Sequence, residues 1–581
     1  MRKYVAGMVV VALSAVAALL VSASAGAVDG QAAGEQEFVV VYAEGASGQA
    51  ARAAVAAAGG TIVKENAKIG VATVRSGNGD FIADAAAARA IEGAAHNQSI
   101  GSVPDQVGAN GEAQKFDPAQ ADLEAAVAAR GSRRHSGPAA GRGEEPLAGL
   151  QWDMQQIGAT AAGSQKYEQG KGIRVGIIDT GVDGTHPDIA PNFDAGLSRN
   201  FTTDIPVDAN GDPIDGPCEV PSCVDPPNVD DDGHGTHVAS TIASPVNRLG
   251  IAGVAPKATI VNLRAGQDSG YFFLQPSVDA LTYAGDHGID VVNMSYYVDP
   301  WLFNCADNPA DSPADQAEQR TIVTAMQRSL DYAHRRGVTL VSAAGNGATD
   351  YTKVIEDGSS PDFASEPGEV PRERTIPPSC ISMPSEGNHV LSISSTGISK
   401  RKAYYSDYGN GYVDLSAPGG DTYDTADNRR DITKAVLAAY PERLAREKGE
   451  LNPDGTPNVA NVVRNCSANG TCAYYQYLQG TSMASPHATG VAALAAGKWG
   501  LPDRRNGGKF AIPSIVELLL RATATDTACP TPPAFTYTRE VLQPDGSFQT
   551  ATATHLCEGT RRNNGFYGDG IIDAKRVARG F

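Results

Sequence analysis

The sequence predicts an α/β fold, a mostly parallel sheet flanked by helices, preceded by a small ferredoxin-like α+β unit. Three features carry that expectation. From Leu150 onward, wholly apolar runs (RVGIID, ATIVNL, DVVNM, VTLVSAA and HVLSIS) alternate with helical stretches such as SVDALTYAGDHG and TAMQRSLDYAHRRG. Strands apolar on both faces belong to parallel sheets wrapped by helices. Ahead of them, residues 36–105 read β-α-β-β-α-β. Between the two, residues 106–148 carry Gly, Ala, Pro, Arg and Glu with no apolar period, the mark of a solvated and cleavable linker.

Taken in chain order, Arg2 and Lys3 precede a short apolar run that ends at Ala25-Gly26-Ala27, the pattern of an export signal over residues 1–27. In the small unit EFVVVY is a strand and GQAARAAVAAAG an Ala-rich helix; GTIVKE and IGVATV are strands, DFIADAAAARAIEG is a second helix, and the last strand falls near SIGSVPD. The divisions expected are thus 1–27, 28–148 (folded over about 36–105, linker 106–148) and 149–581. Inside the large unit three long irregular stretches stand out, residues 203–230, 348–385 and 418–475; loops of that length are functional or specifically tied down.

At 581 residues and 41% hydrophobic composition, the chain can bury two or three cores. Its net charge of −19, from 66 acidic and 47 basic residues, disfavours nucleic acid and anionic membranes as partners. No segment after the signal reads as membrane-spanning. Eight cysteines, all after residue 200 and without a CxxC pair, favour disulfides in an exported chain over a metal site. Proximity along the chain suggests Cys218–Cys223, Cys305–Cys380, Cys466–Cys472 and Cys529–Cys557, out of 105 full pairings of eight thiols.

Four short strings carry chemistry. RVGIIDTG sets Asp179 at the carboxyl end of a buried strand, the edge where open α/β sheets place their sites; the plainer reading is an Asp capping a turn. DDGHGTHVASTIA opens an apolar helix with His234 and His237, and a zinc pair is the rival there, although the helix lacks both a third ligand and an acidic base. GTSMASPHATGVAALAA puts Ser482 at the start of a long apolar helix, where free N–H groups support developing negative charge, or where a Ser merely caps the helix. VTLVSAAGNG ends a strand on Gly345 and Asn346, and an Asn amide donates to an oxyanion without carrying a titratable charge. Each string alone has a bland alternative. Together they supply a hydroxyl nucleophile, an imidazole base, a carboxylate to hold its tautomer and an oxyanion donor, which is the set that acyl transfer needs.

The order Asp179, His234, Asn346, Ser482, with DTG, HGTH, AAGN and GTSMASPH around them, resembles the subtilisin family. The resemblance implies a secreted, extracellular, monomeric serine endopeptidase acting on protein or peptide substrates, with Asp179, His234 and Ser482 as catalytic triad, Asn346 as oxyanion donor and no cofactor for catalysis. It also implies that residues 36–105 are an inhibitory propeptide acting on its own chain, removed autocatalytically within 106–148, and that no membrane association follows signal cleavage. In HPDI, Asp188 matches a calcium ligand of many relatives and Asn247 of PVNRLGI falls where a second would lie, implying structural calcium; an Asp capping a turn is the alternative. The acidic run Asp230, Asp231, Asp232 offers ligands for a cation as well, and its plainer reading is a solvated loop. After DVVNMS the family usually has a small segment ending in glycines, whereas here Ser295 is followed by Tyr296 and Tyr297. With Ser295 and Gly345 these are expected beside the substrate, Tyr296 walling an upstream pocket and Tyr297 narrowing the one before the scissile bond. In the plainer alternative both rings pack beneath the loop around Trp301 and Cys305.

Overall fold

A computed structural model describes residues 36–97, 99–102, 143–297, 300–364 and 368–580. The expected export signal and most of the linker lie outside them. In the small unit, β1 (Gln36–Tyr42), β2 (Gly60–Asn66), β3 (Val71–Ser76) and β4 (Ile91–His96) form an antiparallel sheet of order β2-β3-β1-β4. Two helices, Gly48–Ala57 and Phe81–Ala86, bury Val55 and Phe81 against it. This is the ferredoxin-like arrangement, with one correction. The second helix stops at Ala86, and the fourth strand is IEGAAH, not SIGSVPD. Alanines favour a helix locally, but pairing with β1 and the approach of helix Pro313–Arg335 decide otherwise: a Cβ on Gly93 would lie 2.2 Å from Thr321 Oγ1.

SIGS instead forms β5 (Ser99–Ser102), which leaves the small sheet. The large unit's central sheet contains β6 (Arg174–Ile178), β7 (Arg199–Asn200) and β8 (Thr259–Arg264), and the chain then makes a short edge strand, β9 (Tyr271–Phe273). β5 pairs antiparallel with β9, with Ser99 opposite Phe273 and Ser102 opposite Tyr271. Following β9 come β10 (Val291–Met294), β11 (Thr339–Ala343), a hairpin of β12 (Ile355–Asp357) and β13 (Arg374–Ile376), then β14 (Val390–Thr396) and β15 (Leu415–Pro418). The central sheet runs β15-β14-β11-β10-β6-β8-β7 with every neighbouring pair parallel. Its middle strands are buried along their length, as their unbroken apolar sequences require.

Helices cover both faces. His234–Ala243 and Thr481–Trp499 pack on one core, and Leu274–Asp286 and Pro313–Arg335 on another. The small unit docks on the second pair: Lys64 Nζ meets Asp279 at 2.6 Å, Lys68 pairs with Asp286, His96 with Glu318, and Arg328 donates to the Tyr42 carbonyl at 2.8 Å. The stretch 418–475 is far from irregular. It contains β16 (Val436–Tyr440) and β17 (Val462–Cys466), which flank β18 (Cys472–Leu478) in an antiparallel sheet. All four expected disulfides are present, Cys218–Cys223, Cys305–Cys380, Cys466–Cys472 and Cys529–Cys557, and each ties an irregular region or a hairpin end. Among the described residues no helix is long and apolar enough to cross a membrane.

Candidate active site

Three elements of the large unit converge at one edge of the central sheet. Directly after β6 comes Asp179, whose carboxylate is buried, and helix His234–Ala243 begins beside it. The approach is tight: a Cβ on Gly235 would lie 2.0 Å from the Gly181 carbonyl and 3.0 Å from Asp179 Cβ, so the first turn of this helix needs glycine there. His234 Nδ1 contacts Asp179 Oδ1 at 2.7 Å. A carboxylate on Nδ1 holds the tautomer that leaves Nε2 as base. That Nε2 is buried and, among the described residues, has no hydrogen-bond partner.

Asp230 and Asp232 complete the histidine's surroundings. Asp230 is buried, accepts from Gly233 N (2.9 Å), Thr236 N (2.9 Å) and Thr180 Oγ1 (3.1 Å), and so staples the two motifs together. Asp232 accepts from His234 N at 2.9 Å, and burial, with Asp230 beside it, pushes its carboxyl up to about 6. The acidic run is therefore part of the site's framework, correcting its reading as a solvated loop. Burial of His234 works against its charged form, but Asp179, Asp232 and Asp230 outweigh it and hold the imidazole pKa above its ordinary value. His237 has a different task. Its Nε2 lies 3.1 Å from the carbonyls of Val436 and Gln476, and burial drives its pKa down to about 3, so it is a neutral donor to the β16–β18 sheet, and zinc ligation has no support from this helix.

Ser482 lies in the first turn of helix Thr481–Trp499. Its Oγ donates to the Ser295 carbonyl at 3.3 Å, so the link from Ser482 to His234 is not closed in this structure. Thr481 organises the neighbouring donors, a role the sequence did not single out. Asn346 Oδ1 accepts from both Thr481 N and Thr481 Oγ1, each at 2.9 Å, which fixes the amide's orientation. Gly345 N also donates to Thr481 Oγ1 (3.1 Å), while the Gly345 carbonyl accepts from Asp407 N (2.9 Å). A Cβ on Gly480 would sit 3.4 Å from Asn346 Nδ2 and 3.6 Å from Ser482 N, so these two N–H groups border one small space beside the nucleophile's helix. Two convergent donors there suit an oxyanion.

The other expected residues divide. Ser295 turns its side chain inward, bonding the Ser482 carbonyl (3.0 Å), Ser485 Oγ (2.7 Å) and Asn293 Nδ2 (2.7 Å). Tyr296 walls no open pocket: it is 1% exposed and stacks on Phe272 with ring centroids 4.1 Å apart, because the inward side of this segment faces the aromatic residues of β9. Tyr297 is half-buried. Asp188 and Asn247 come together, but as acceptor and donor, with Asn247 Nδ2 on Asp188 Oδ1 at 2.9 Å. Asp188 Oδ2 takes Ile251 N (3.1 Å) and Tyr475 Oη (3.0 Å), and Asn247 Oδ1 takes Leu249 N (2.8 Å). Hydrogens, not converging lone pairs, meet this carboxylate, so the pair as arranged does not fit a calcium ion.

Comparison with known proteins agrees with this geometry. The profile of the subtilase family matches residues 170–549. Fervidolysin of Fervidobacterium pennivorans is 29% identical over 363 residues, spanning 61% of this chain and 39% of that protein. Thermophilic serine proteinase of Bacillus sp. (strain AK1) is 28% identical over 56% of this chain and 52% of its own length, so the chain spans only about half, or less, of these two relatives. Thermitase of Thermoactinomyces vulgaris is 26% identical, covering 60% of this chain and 82% of that one. In three dimensions the epidermin leader peptide processing serine protease of Staphylococcus aureus superposes with a TM-score of 0.57 at 18% identity, covering 94% of this chain and 98% of that chain. With the matched profile extending over more than half of its length and enclosing both Asp179 and Ser482, the chain belongs to the subtilase family.

Proposed function

We propose that this protein is a secreted serine endopeptidase, made as a zymogen, that hydrolyses peptide bonds through an acyl-enzyme formed on Ser482. The observation that carries the reading is the buried 2.7 Å contact of His234 Nδ1 with Asp179, which leaves Nε2 as the acceptor for a serine proton. In the reaction, Ser482 Oγ turns from the Ser295 carbonyl to His234 Nε2 and attacks the peptide carbonyl as His234 takes its proton. Asn346 Nδ2 and Ser482 N hold the oxyanion. His234 then protonates the leaving amine while Asp179 stabilises the imidazolium, and water repeats the cycle to free Ser482. No cofactor takes part.

The small unit is the chain's own inhibitor in this reading. Its support is the docking on helices Leu274–Asp286 and Pro313–Arg335, together with the pairing of β5 onto β9, where Ser99–Ser102 adds an antiparallel strand to the large unit as an extended peptide would. Cleavage within 106–148 then separates inhibitor from enzyme, and four disulfides accord with an extracellular destination. The test is processing of the full chain in a host without other proteases. Wild type should lose its N-terminal part while Ser482→Ala retains it; equal processing of the two would sink the self-cleaving reading.

A further inference from the structure

Large apolar side chains on the surface are not scattered evenly. Trp499, Leu501, Phe510, Ile512, Ile515 and Leu518 are all exposed, Leu501 by 72% and Leu518 by 64%, and they follow one another within a short stretch of chain. Secondary structure gathers them. β19 (Leu501–Pro502) pairs antiparallel with β20 (Lys509–Phe510), which sets Leu501 directly opposite Phe510 on one face of the hairpin. Ala511 then packs on the core, so Phe510 and Ile512 on either side of it share the outward direction. Helix Pro513–Thr523 starts there, and Ile515 and Leu518, three apart, extend the apolar surface along its outer side, while Val516 and Leu520 bury its inner side. A helix apolar on both sides is ordinarily buried on both. This one is open to solvent on one.

The charge around the patch reverses that of the chain. A net charge of −19 disfavours an anionic surface for the protein as a whole, yet residues 498–522 hold Lys498, Arg504, Arg505, Lys509 and Arg521 against only Asp503 and Glu517. Both acids are turned to the protein. Asp503 accepts from Arg505 N at 2.7 Å and Asn506 N at 3.2 Å within its own turn, and Glu517 lies 3.4 Å from His334. Lys509 donates to the Gly497 carbonyl and Arg521 pairs with Asp414 and Asp569, whereas Lys498, Arg504 and Arg505 are exposed beside the apolar residues.

An occupant must therefore be apolar against the hairpin and helix, and anionic at the rim. A second copy of the chain fails the second condition, since an isologous contact would bring two sets of cations together. A protein partner would find few fixed hydrogen-bond groups: among the exposed residues of 498–522, Ser514 is the one uncharged polar side chain. A phospholipid surface meets both conditions. Its acyl region takes Leu, Ile and Phe without directional bonds, its anionic headgroups take Lys and Arg, and Trp suits the boundary between them. We propose that this surface docks the protein peripherally on membranes bearing anionic phospholipid, with Leu501, Phe510, Ile512, Ile515 and Leu518 entering the acyl boundary and Lys498, Arg504 and Arg505 meeting the headgroups. The inference rests on these side chains and not on the catalytic reading.

Co-sedimentation with sucrose-loaded vesicles tests it, on the full chain carrying Ser482→Ala to prevent autolysis. The parent should bind vesicles of phosphatidylcholine with one quarter phosphatidylglycerol about tenfold or more tightly than vesicles of phosphatidylcholine alone, and high salt should weaken the binding. Leu501→Ser with Leu518→Ser should lower binding about tenfold or more, as should Arg504→Gln with Arg505→Gln. Leu556→Ser, at an exposed leucine of strand Phe548–Leu556, should change nothing. A second readout needs no substitution in the patch. Trp301 is buried and the Trp152 indole donates to the Ala435 carbonyl, so Trp499, half-exposed, should be the tryptophan quenched by lipids brominated in their acyl chains. No binding to the anionic vesicles, binding undiminished by the Leu501/Leu518 pair, or absence of quenching would overturn the proposal. A dimer in solution that the same pair abolishes would overturn it too, by assigning the patch to a second copy.

Discussion

Thr481→Val is the most informative single change at the site. Valine keeps the shape of threonine and removes a hydroxyl that donates to Asn346 Oδ1 at 2.9 Å and accepts from Gly345 N at 3.1 Å. The backbone bond from Thr481 N to Asn346 Oδ1 remains, so the amide is loosened and not released. A net hydrogen bond is worth about 0.5–1.5 kcal/mol, and two are lost, so Asn346 should be held less firmly by about 1–3 kcal/mol. If all of that reaches the transition state, kcat falls by about 5–160-fold. Asn346→Ala should cost more, about 10²–10³, a size known from such a donor in subtilisin and not one worked from this structure. The assay is kcat and KM on a chromogenic peptide for wild type, both single variants and the double. Because Thr481 acts through Asn346, its effect should vanish in the Asn346→Ala background, and KM should change little. Additive losses in the double variant would refute the positioning role.

The pH profile should follow the acids around His234. Its pKa lies above the ordinary imidazole value because Asp179, Asp232 and Asp230 favour the charged form, so activity, which needs the neutral base, should fall as pH drops through that raised value. Asp232→Asn removes one supporting charge and should move the acid limb of kcat/KM to lower pH; a limb that stays put would show that Asp232 does not act on His234. In the small unit, Gly93→Val forces a side chain into the space of Thr321 and should loosen docking, so that the cleaved N-terminal fragment dissociates faster and latency shortens; unchanged latency would show that this contact does not hold the inhibitor. Tyr297→Gly should widen acceptance of Phe and Leu before the scissile bond, where wild type should favour small residues by a graded 10–200-fold; an unchanged ranking of substrates would remove Tyr297 from that pocket.

What the sequence made legible was local. Unbroken apolar runs gave β6, β8, β10, β11 and β14 because burial on both faces leaves no room for polar alternation. The four motifs were readable because each sets its functional residue among glycines, and at Gly235 the cause is visible in the contact with Gly181 and Asp179. Disulfide partners followed from proximity because three of the four close loops or hairpins of fewer than thirty residues. The misses were decided by distant neighbours. IEGAAH has the composition of a helix and becomes a strand through β1 and helix Pro313–Arg335. Tyr296 has a polar tip that suits a pocket, yet Phe272 claims its ring. Asp230 and Asp232 looked like a solvated acidic run until Thr236, Gly233 and His234 supplied their donors. Thr481 sat unnoticed inside the Ser482 motif because its worth lies in Asn346, more than a hundred residues away.

The central claim is that Ser482 is activated by His234 held on Asp179, and covalent trapping tests it most directly. Mature enzyme treated with a fluorophosphonate probe and digested for mass spectrometry should carry one probe per chain, on the peptide containing Ser482, with labelling lost in His234→Ala. A folded, fully processed enzyme that takes up no probe at Ser482, or takes it up equally without His234, would contradict the account.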